Sequence, residues 1–145
     1  MYINSTWNNI FSFAIPIPSH RVETPEICIE LFYTDSEIKC QDKNGRRLYL
    51  SNEFRQQSGK LIDDGTINCI ALNKIRNKRL QIISADDYVF NDKDNNIALS
   101  KNSFADYIYN NVDNFGEFDF SEFGLIFDII RNISKESWFS LQNAS

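Results

Sequence analysis

Residue types that carry chemistry or cross-links are scarce in this chain of 145 residues. It contains one histidine, three cysteines, three prolines and five glycines. An odd number of dispersed cysteines does not make a disulfide framework, and structural zinc sites usually draw on closely spaced Cys or His pairs. We therefore expect Cys28, Cys40 and Cys69 to be reduced side chains of the core. The sequence predicts no metal site and no cofactor.

Long apolar runs and a basic leader are also lacking. No run approaches the roughly 20 apolar residues of a membrane-spanning helix. The first residues, MYINSTWNNIFSF, lack the basic region of a secretory signal. These features predict a cytoplasmic protein that does not enter a membrane. The length predicts a single domain over residues 1–145, because two halves would each be too small to bury a good core.

Recognisable catalytic motifs are missing as well. His20 is the one histidine, and no pattern pairs it with a serine and an acid. The glycine spacing of phosphate-binding loops is absent. The sequence thus predicts a protein that is not an enzyme. One enzymatic alternative stays open, a metal-dependent reaction at the paired carboxylates Asp63-Asp64 and Asp86-Asp87.

The charge is acidic overall and uneven along the chain. The formal net charge is −5, and residues 86–145 carry 11 acidic and 4 basic side chains. Nucleic-acid binding needs clustered Lys and Arg to neutralise phosphates, so this balance disfavours it. A basic segment at 74–79, with Lys74, Arg76, Lys78 and Arg79, keeps a nucleic-acid-binding module as a second alternative. Its other interpretation is a solvated hairpin tip that protects a sheet edge.

Period-two alternation in the first two-thirds predicts β-strands. We place them at 27–33, 38–40, 47–50, 67–72, 80–83, 88–90 and 97–99. Asn44-Gly45 between two alternating runs predicts a type I′ hairpin. The stretch 67–72 is apolar on both faces and is interpreted as a central strand. The segment around Pro16 and Pro18 is interpreted as an edge strand, and 92–96 as a polar turn.

The period changes to three and four after Ser100, which predicts helices. The first contains Phe104 to Val112, with Ser103 and Asp106 as a capping pair, and ends at Gly116. The second runs from about Ser121 to Ile133 and is apolar nearly all round, so we expect it to be buried. Strands followed by helices indicate an α+β fold: an antiparallel sheet from the N-terminal two-thirds, with C-terminal helices packed on one face.

The acidic C-terminal region combines carboxylates with aromatic side chains. One interpretation is an ordinary solvated helix face beside core aromatics. The other is a binding surface, because aromatic anchors dominate many interfaces and rim charges speed the encounter with an oppositely charged partner. On this second interpretation the predicted partner-binding residues are Asp92, Asp94, Asp106, Tyr109, Asp113, Glu117, Asp119 and Glu122.

The chain resembles bacterial immunity proteins in its size, its acidity, its Asn-, Ile- and Lys-rich composition and its lack of catalytic residues. These proteins are the antidotes to secreted toxins, including those of contact-dependent growth inhibition systems. The resemblance covers the general character of all 145 residues and involves no diagnostic motif. It implies stoichiometric binding of a cognate toxin domain, often a nuclease. The charge asymmetry separately fits a basic nuclease as the partner.

Overall fold

The computed structural model describes residues 2–5, 10–24, 26–111 and 118–143. Within these ranges, short strands precede the longer helices. The strands are β1 (Tyr2–Ser5), β2 (Ile10–Phe13), β3 (Tyr49–Leu50), β4 (Asn68–Cys69), β5 (Ile82–Ile83) and β6 (Val89–Phe90). The α-helices are α1 (Asp35–Ile38), α2 (Leu72–Ile75), α3 (Lys101–Asn110) and α4 (Gly124–Asn143). Turns of 3-10 helix lie at Ser19–Arg21, Ile29–Phe32, Ser51–Glu53, Ala85–Asp87 and Ser121–Phe123.

The predicted α+β class is confirmed, with antiparallel pairing in the N-terminal two-thirds and helices towards the C-terminus. The strands pair as three separate ribbons, β1 with β2, β3 with β5 and β4 with β6. Strands β3 to β6 have two residues each, because polar turns interrupt the alternation every few residues. The described strands therefore do not join into the continuous sheet that the alternation predicts.

Two hydrophobic clusters lie on opposite sides of the β3–β5 ribbon. In β3, Leu50 belongs to one cluster and Tyr49 to the other. In β5, Ile82 and Ile83 divide in the same way, because successive strand residues point to opposite faces. Helix α3 packs Phe104 into the cluster of Leu50 and Ile82, so one helix covers one side of this ribbon.

The segment 27–40, predicted as two strands, is helical instead. Ile29–Phe32 forms a 3-10 turn and is followed by α1. The Glu37 N–H donates to the Thr34 hydroxyl at 3.4 Å, and the Thr34 N–H donates to the Glu37 carboxylate at 2.7 Å. This capping box satisfies two N–H groups that a helix start leaves free. It overrides the alternation, so the strand predictions at 27–33 and 38–40 are wrong.

The Asn44-Gly45 turn exists, but the hairpin predicted around it does not. Gly45 has φ +75°, and the Asp42 carboxylate accepts hydrogen bonds from the N–H groups of Asn44 and Arg46. Asn44 does not adopt the positive φ that a type I′ turn requires. After the turn, Arg47 forms a parallel bridge with Ala98 and not with residues 38–40. The aspartate thus closes a local loop whose flanks pair elsewhere.

The stretch 67–79 also departs from its prediction. The predicted central strand shrinks to β4, and Ile70 is 62% exposed. Leu72 begins α2, so the basic segment starts inside a short helix and is not a hairpin tip. Gly59 allows this compact arrangement, because it has φ +70° and its position lies against the Cys69 carbonyl.

Two further expectations are corrected, and one lies outside the described residues. Helix α3 begins earlier than predicted, with Ser100 as its cap; the Ser103 N–H donates to the Ser100 hydroxyl at 3.0 Å. No strand contains Pro16 or Pro18, and Pro18 is buried before the 3-10 turn that follows it. The helix break predicted at Gly116 falls outside the described ranges. The polar turn at 92–96 is confirmed, and Asp94 there has φ +58°.

Helix α4 corrects the expectation of a buried helix. It continues to Asn143, ten residues beyond the predicted end. Leu125 is 40% exposed, Phe127 61% and Ile130 45%, whereas Ile133 is buried. Among the described helices and strands, none apart from the preceding 3-10 turn packs extensively on α4. Its apolar residues thus form an exposed face as well as a packed one.

Candidate functional site

An apolar groove runs between α3 and the segment that leads into α4. It encloses about 380 Å³ and is lined by Tyr33, Ala105, Ile108, Tyr109 and Phe120. Tyr109 is 75% exposed and Phe120 37%. We call this feature the aromatic groove. It offers an apolar surface with two accessible rings to a partner.

Edge-on and tilted rings form the wall of the aromatic groove. The Tyr33 ring meets those of Phe104, Phe118 and Phe120 edge-on, with centroids 5.5, 6.1 and 6.0 Å away. Its centroid also lies 5.0 Å from that of Phe123. Each such pair contributes about 0.5–1.5 kcal/mol beyond its area burial. The wall is therefore fixed before any partner arrives.

Backbone hydrogen bonds hold Tyr33 in place. Buried Arg21 donates from Nε to the Leu31 carbonyl at 3.1 Å and from a terminal nitrogen to the Tyr33 carbonyl at 3.0 Å. The same guanidinium forms an ion pair with Asp35 at 2.7 Å. His20 Nε2 lies 3.2 Å from the Tyr33 carbonyl. The histidine is thus a neighbour of the groove wall, and no catalytic serine pairs with it among the described residues.

Two carboxylates, Asp119 and Glu122, lie close in sequence to Phe120 of the groove. The Glu122 carboxylate accepts hydrogen bonds from the Ser19 hydroxyl and, at 2.9 Å, from the Ser19 N–H. These bonds lower the pKa of Glu122, and the nearby His20 acts in the same direction. Hydrogen bonds from the Ser121 N–H lower the pKa of Asp119. Both groups consequently stay ionised at neutral pH.

Of the predicted partner-binding residues in the described ranges, Tyr109 alone lines this groove. Asp119 and Glu122 lie one and two residues from Phe120 in the sequence. Asp106 precedes Tyr109 by three residues in α3, a spacing that places two side chains side by side on a helix. Asp106 also lines a neighbouring depression that contains Arg46.

The other predicted partner-binding residues are placed differently. Asp92 and Asp94 are exposed in the polar turn. In this turn the Asn91 side-chain oxygen accepts hydrogen bonds from the N–H groups of Lys93 and Asn95. Neither aspartate lines the groove. Asp113 and Glu117 lie outside the described residues, so their predicted role stays a prediction.

The paired carboxylates are used within the fold in different ways. Asp64 accepts hydrogen bonds from the N–H and hydroxyl of Thr66 at 2.9 and 2.6 Å. Asp87 is buried and accepts from Lys74 at 2.8 Å and from the Ser84 N–H at 2.9 Å. Asp63 and Asp86 are exposed. Across the described ranges, no three His, Cys, Asp or Glu side chains are grouped in a way that would hold a metal ion.

Most basic side chains of the 74–79 segment are also engaged internally. Lys74 is paired with Asp87 and Arg79 with Glu26. Arg76 donates to the Gln56 carbonyl at 2.9 Å. Lys78 is exposed and has no hydrogen bond or ion pair within the described part of the chain. Because three of these side chains bond within the protein, fewer of them are available to bind phosphates than the sequence alone indicates.

Tyr33 is the groove residue that sequence reasoning missed. The alternation at 27–33 predicts a strand at Tyr33, whereas its position beside α3 depends on the capping box of α1 and on Arg21. The pattern Thr34-x-x-Glu37 was the available signal, since it marks a helix start directly after Tyr33. No disulfide joins the three cysteines; Cys69 is buried, and Cys28 and Cys40 are half-buried.

No family model, curated protein or solved structure matches this chain. Within the described residues, no helix combines the length and the hydropathy needed to cross a bilayer.

Proposed function

We propose that the protein is an immunity-type inhibitor that binds a basic toxin domain, as in contact-dependent growth inhibition. The aromatic groove, which exposes Tyr109 and Phe120 in an acidic stretch of the chain, is the observation that supports the proposal. A groove of this kind offers anchors for an interface, and the carboxylates complement a positively charged partner. The proposal assigns contact roles to Asp106, Tyr109, Asp119 and Glu122.

The physical roles of these residues differ. Tyr109 projects a large ring with two side-chain torsions, so burying it against a partner gains much area at a modest entropy cost. Asp119 and Glu122 are held by Ser121 and Ser19, which fixes their charges before binding. Fixed charges of one sign raise the encounter rate with an opposite surface, by about 10- to 1,000-fold at low salt.

The charge also suggests how inhibition works. A nuclease binds phosphates through Lys and Arg, and carboxylates presented at the same spacing compete for those cations. A toxin held this way is blocked or kept from its substrate for as long as the complex lasts. The proposal therefore predicts a tight complex of equal stoichiometry.

The test co-expresses the protein with the polypeptide encoded next to it and measures both growth and complex formation. An equimolar complex in light scattering, together with rescue of growth, is the expected result. Tyr109→Ala is expected to weaken binding by about tenfold or more, because hot-spot truncations cost about 2 kcal/mol. Asp106→Lys is expected to slow association and reduce its dependence on salt.

The matched control is Asp92→Lys, which reverses the same charge in a turn that does not line the groove. It should leave both the affinity and the association rate nearly unchanged. No complex and no rescue with the native neighbour would overturn the proposed function. A complex that tolerates Tyr109→Ala and Asp106→Lys would retain the function and reject this surface.

A further inference from the structure

A second cleft lies away from the aromatic groove and is polar. It encloses about 460 Å³ between residues 23–24, the 3-10 turn Ser51–Glu53 and the loop that follows α2. Ligand sites commonly enclose about 300–1,000 Å³. Phe54, Ile75 and Leu80 form its apolar floor. The cleft therefore has the size of a small-molecule site and combines an apolar floor with polar lining residues.

Hydrogen-bond donors dominate the rim of this cleft. Ser51 is 4% exposed; its oxygen accepts from the Gln81 N–H at 3.0 Å, and its own proton has no acceptor among the described residues. The Asn77 side-chain oxygen accepts from the Arg79 N–H at 3.0 Å, and its NH₂ group has no hydrogen bond among the described residues. Ser51 and Asn77 thus each bring an unused donor to the lining of the cleft.

Lys78 adds a positive charge to the rim. Arg79 is paired with Glu26, but Lys78 has no carboxylate within ion-pair distance in the described ranges. Ser51, Asn77 and Lys78 together fit an anion with several acceptor oxygens, because charge-assisted bonds to phosphate are the stronger class of hydrogen bond. A phosphate monoester carries enough acceptor oxygens to pair with all three donors.

The remaining lining indicates what the phosphate is attached to. Glu23 is an exposed carboxylate and an acceptor, as a ribose hydroxyl requires. The amides of Asn52 and Gln56 both donate and accept, which suits the edge of a nucleobase. The apolar floor of Phe54 and Leu80 suits the face of a flat ring. We propose that this cleft binds a nucleoside monophosphate.

This inference is separate from the proposed inhibitor function, because none of its residues lines the aromatic groove. It assigns the phosphate to Ser51, Asn77 and Lys78 and the ribose to Glu23. Three of the four basic residues at 74–79 are neutralised or bonded internally, so Lys78 is the cation left for a ligand. A single such cation suits a mononucleotide better than a nucleic-acid backbone.

The test titrates the full chain with the four common ribonucleoside monophosphates, their nucleosides and inorganic phosphate, using calorimetry and saturation-transfer NMR. At least one monophosphate is expected to bind with a dissociation constant below about 1 mM. Its nucleoside and inorganic phosphate should each bind at least about tenfold more weakly, since each lacks one half of the contacts. Competition between the monophosphate and its nucleoside should be direct.

Variants locate the site. Lys78→Ala and Ser51→Ala are each expected to weaken binding by about tenfold, and Lys78→Arg to restore most of it. Lys93→Ala removes an equal charge from the 91–95 turn and should leave binding unchanged. Circular dichroism of each variant establishes that the fold is retained.

Three outcomes would overturn the inference. One is the absence of saturable binding by any monophosphate up to about 10 mM. Another is equal binding by the wild type and a folded Lys78→Ala variant. The third is inorganic phosphate binding as tightly as the nucleotide, since the floor and Glu23 would then contribute nothing. None of these results affects the toxin-binding proposal.

Discussion

The buried Glu37 carboxylate accepts a hydrogen bond from the backbone N–H of Asp119, which lies 82 residues further along the chain. Its other oxygen closes the capping box with Thr34. One side chain thus joins the start of α1 to the segment that carries Phe120. Together with the Arg21 hydrogen bonds to Leu31 and Tyr33, this carboxylate positions the walls of the aromatic groove.

Glu37→Ala is expected to lower the free energy of unfolding by about 1–3 kcal/mol, because it leaves two N–H groups without their acceptor. Urea unfolding, followed by tyrosine and tryptophan fluorescence, measures the loss. Glu37→Gln keeps one acceptor oxygen and should cost clearly less. Equal costs for the two variants would show that the side-chain oxygen does not connect these segments.

Gly59→Ala is expected to destabilise the protein by at least about 2 kcal/mol. The positive φ costs about 1–2 kcal/mol for any L side chain, and the added Cβ would meet the Cys69 carbonyl. Gly45→Ala is the matched control, because Gly45 has φ +75° with open space around it. A thermal melt should show a smaller loss for Gly45→Ala, and similar losses would contradict the steric argument.

Glu30 is expected to contribute to acid sensitivity. Burial would raise the pKa of its carboxyl, but hydrogen bonds from Cys28, its own backbone and Lys101 outweigh burial and hold the pKa below the usual 4.5. A pKa depressed by folding stabilises the protein above the unfolded-state pKa, and this contribution is lost as pH falls through the folded-state value.

The free energy of unfolding of Glu30→Gln should therefore fall less than that of the wild type between about pH 5 and pH 3. Denaturant titrations at several pH values give the two curves. Asp86→Asn, at an exposed carboxyl without a hydrogen bond in the described ranges, serves as the control and should follow the wild type. Parallel curves for Glu30→Gln and the wild type would contradict the assignment.

The exposed face of α4 predicts an unequal response to two apolar substitutions. Phe127→Ser should change the free energy of unfolding by less than about 0.5 kcal/mol, as surface substitutions do. Ile133→Ala should cost about 2–4 kcal/mol, because it removes buried methyl groups. Chemical denaturation of both variants measures the contrast. A large loss for Phe127→Ser would place that ring in the core and contradict the exposure.

The sequence predicts the fold class because the change of hydrophobic period at Ser100 reflects a real change from strands to helices. Individual strands are less predictable. β3 and β5 form strands although each has only two residues. The longer alternating segment at 27–33 forms a 3-10 turn instead, and a capping box follows it. Alternation records which side chains are buried, and a short helical turn can bury the same set.

The candidate site was predictable in part for a related reason. Tyr109, Asp119 and Glu122 stand in a region whose charge is visible in the sequence. Tyr33 joins them through the Arg21 and Glu37 hydrogen bonds, which connect residues far apart in the chain. The exposure of α4 could not be predicted from the sequence either. An apolar helix is expected to be buried, and only its packing partners show which of its residues stay exposed.

The ribbons have a consequence for how the chain folds. β3 pairs with β5 across a segment that contains β4 and α2, and Arg47 bridges to Ala98, which lies beyond β6. Closing such loops costs entropy before any native pairing compensates for it, and topologies rich in distant pairings fold in milliseconds to seconds. This small protein should therefore fold slowly for its length, with α3 able to form early and the ribbons completing late.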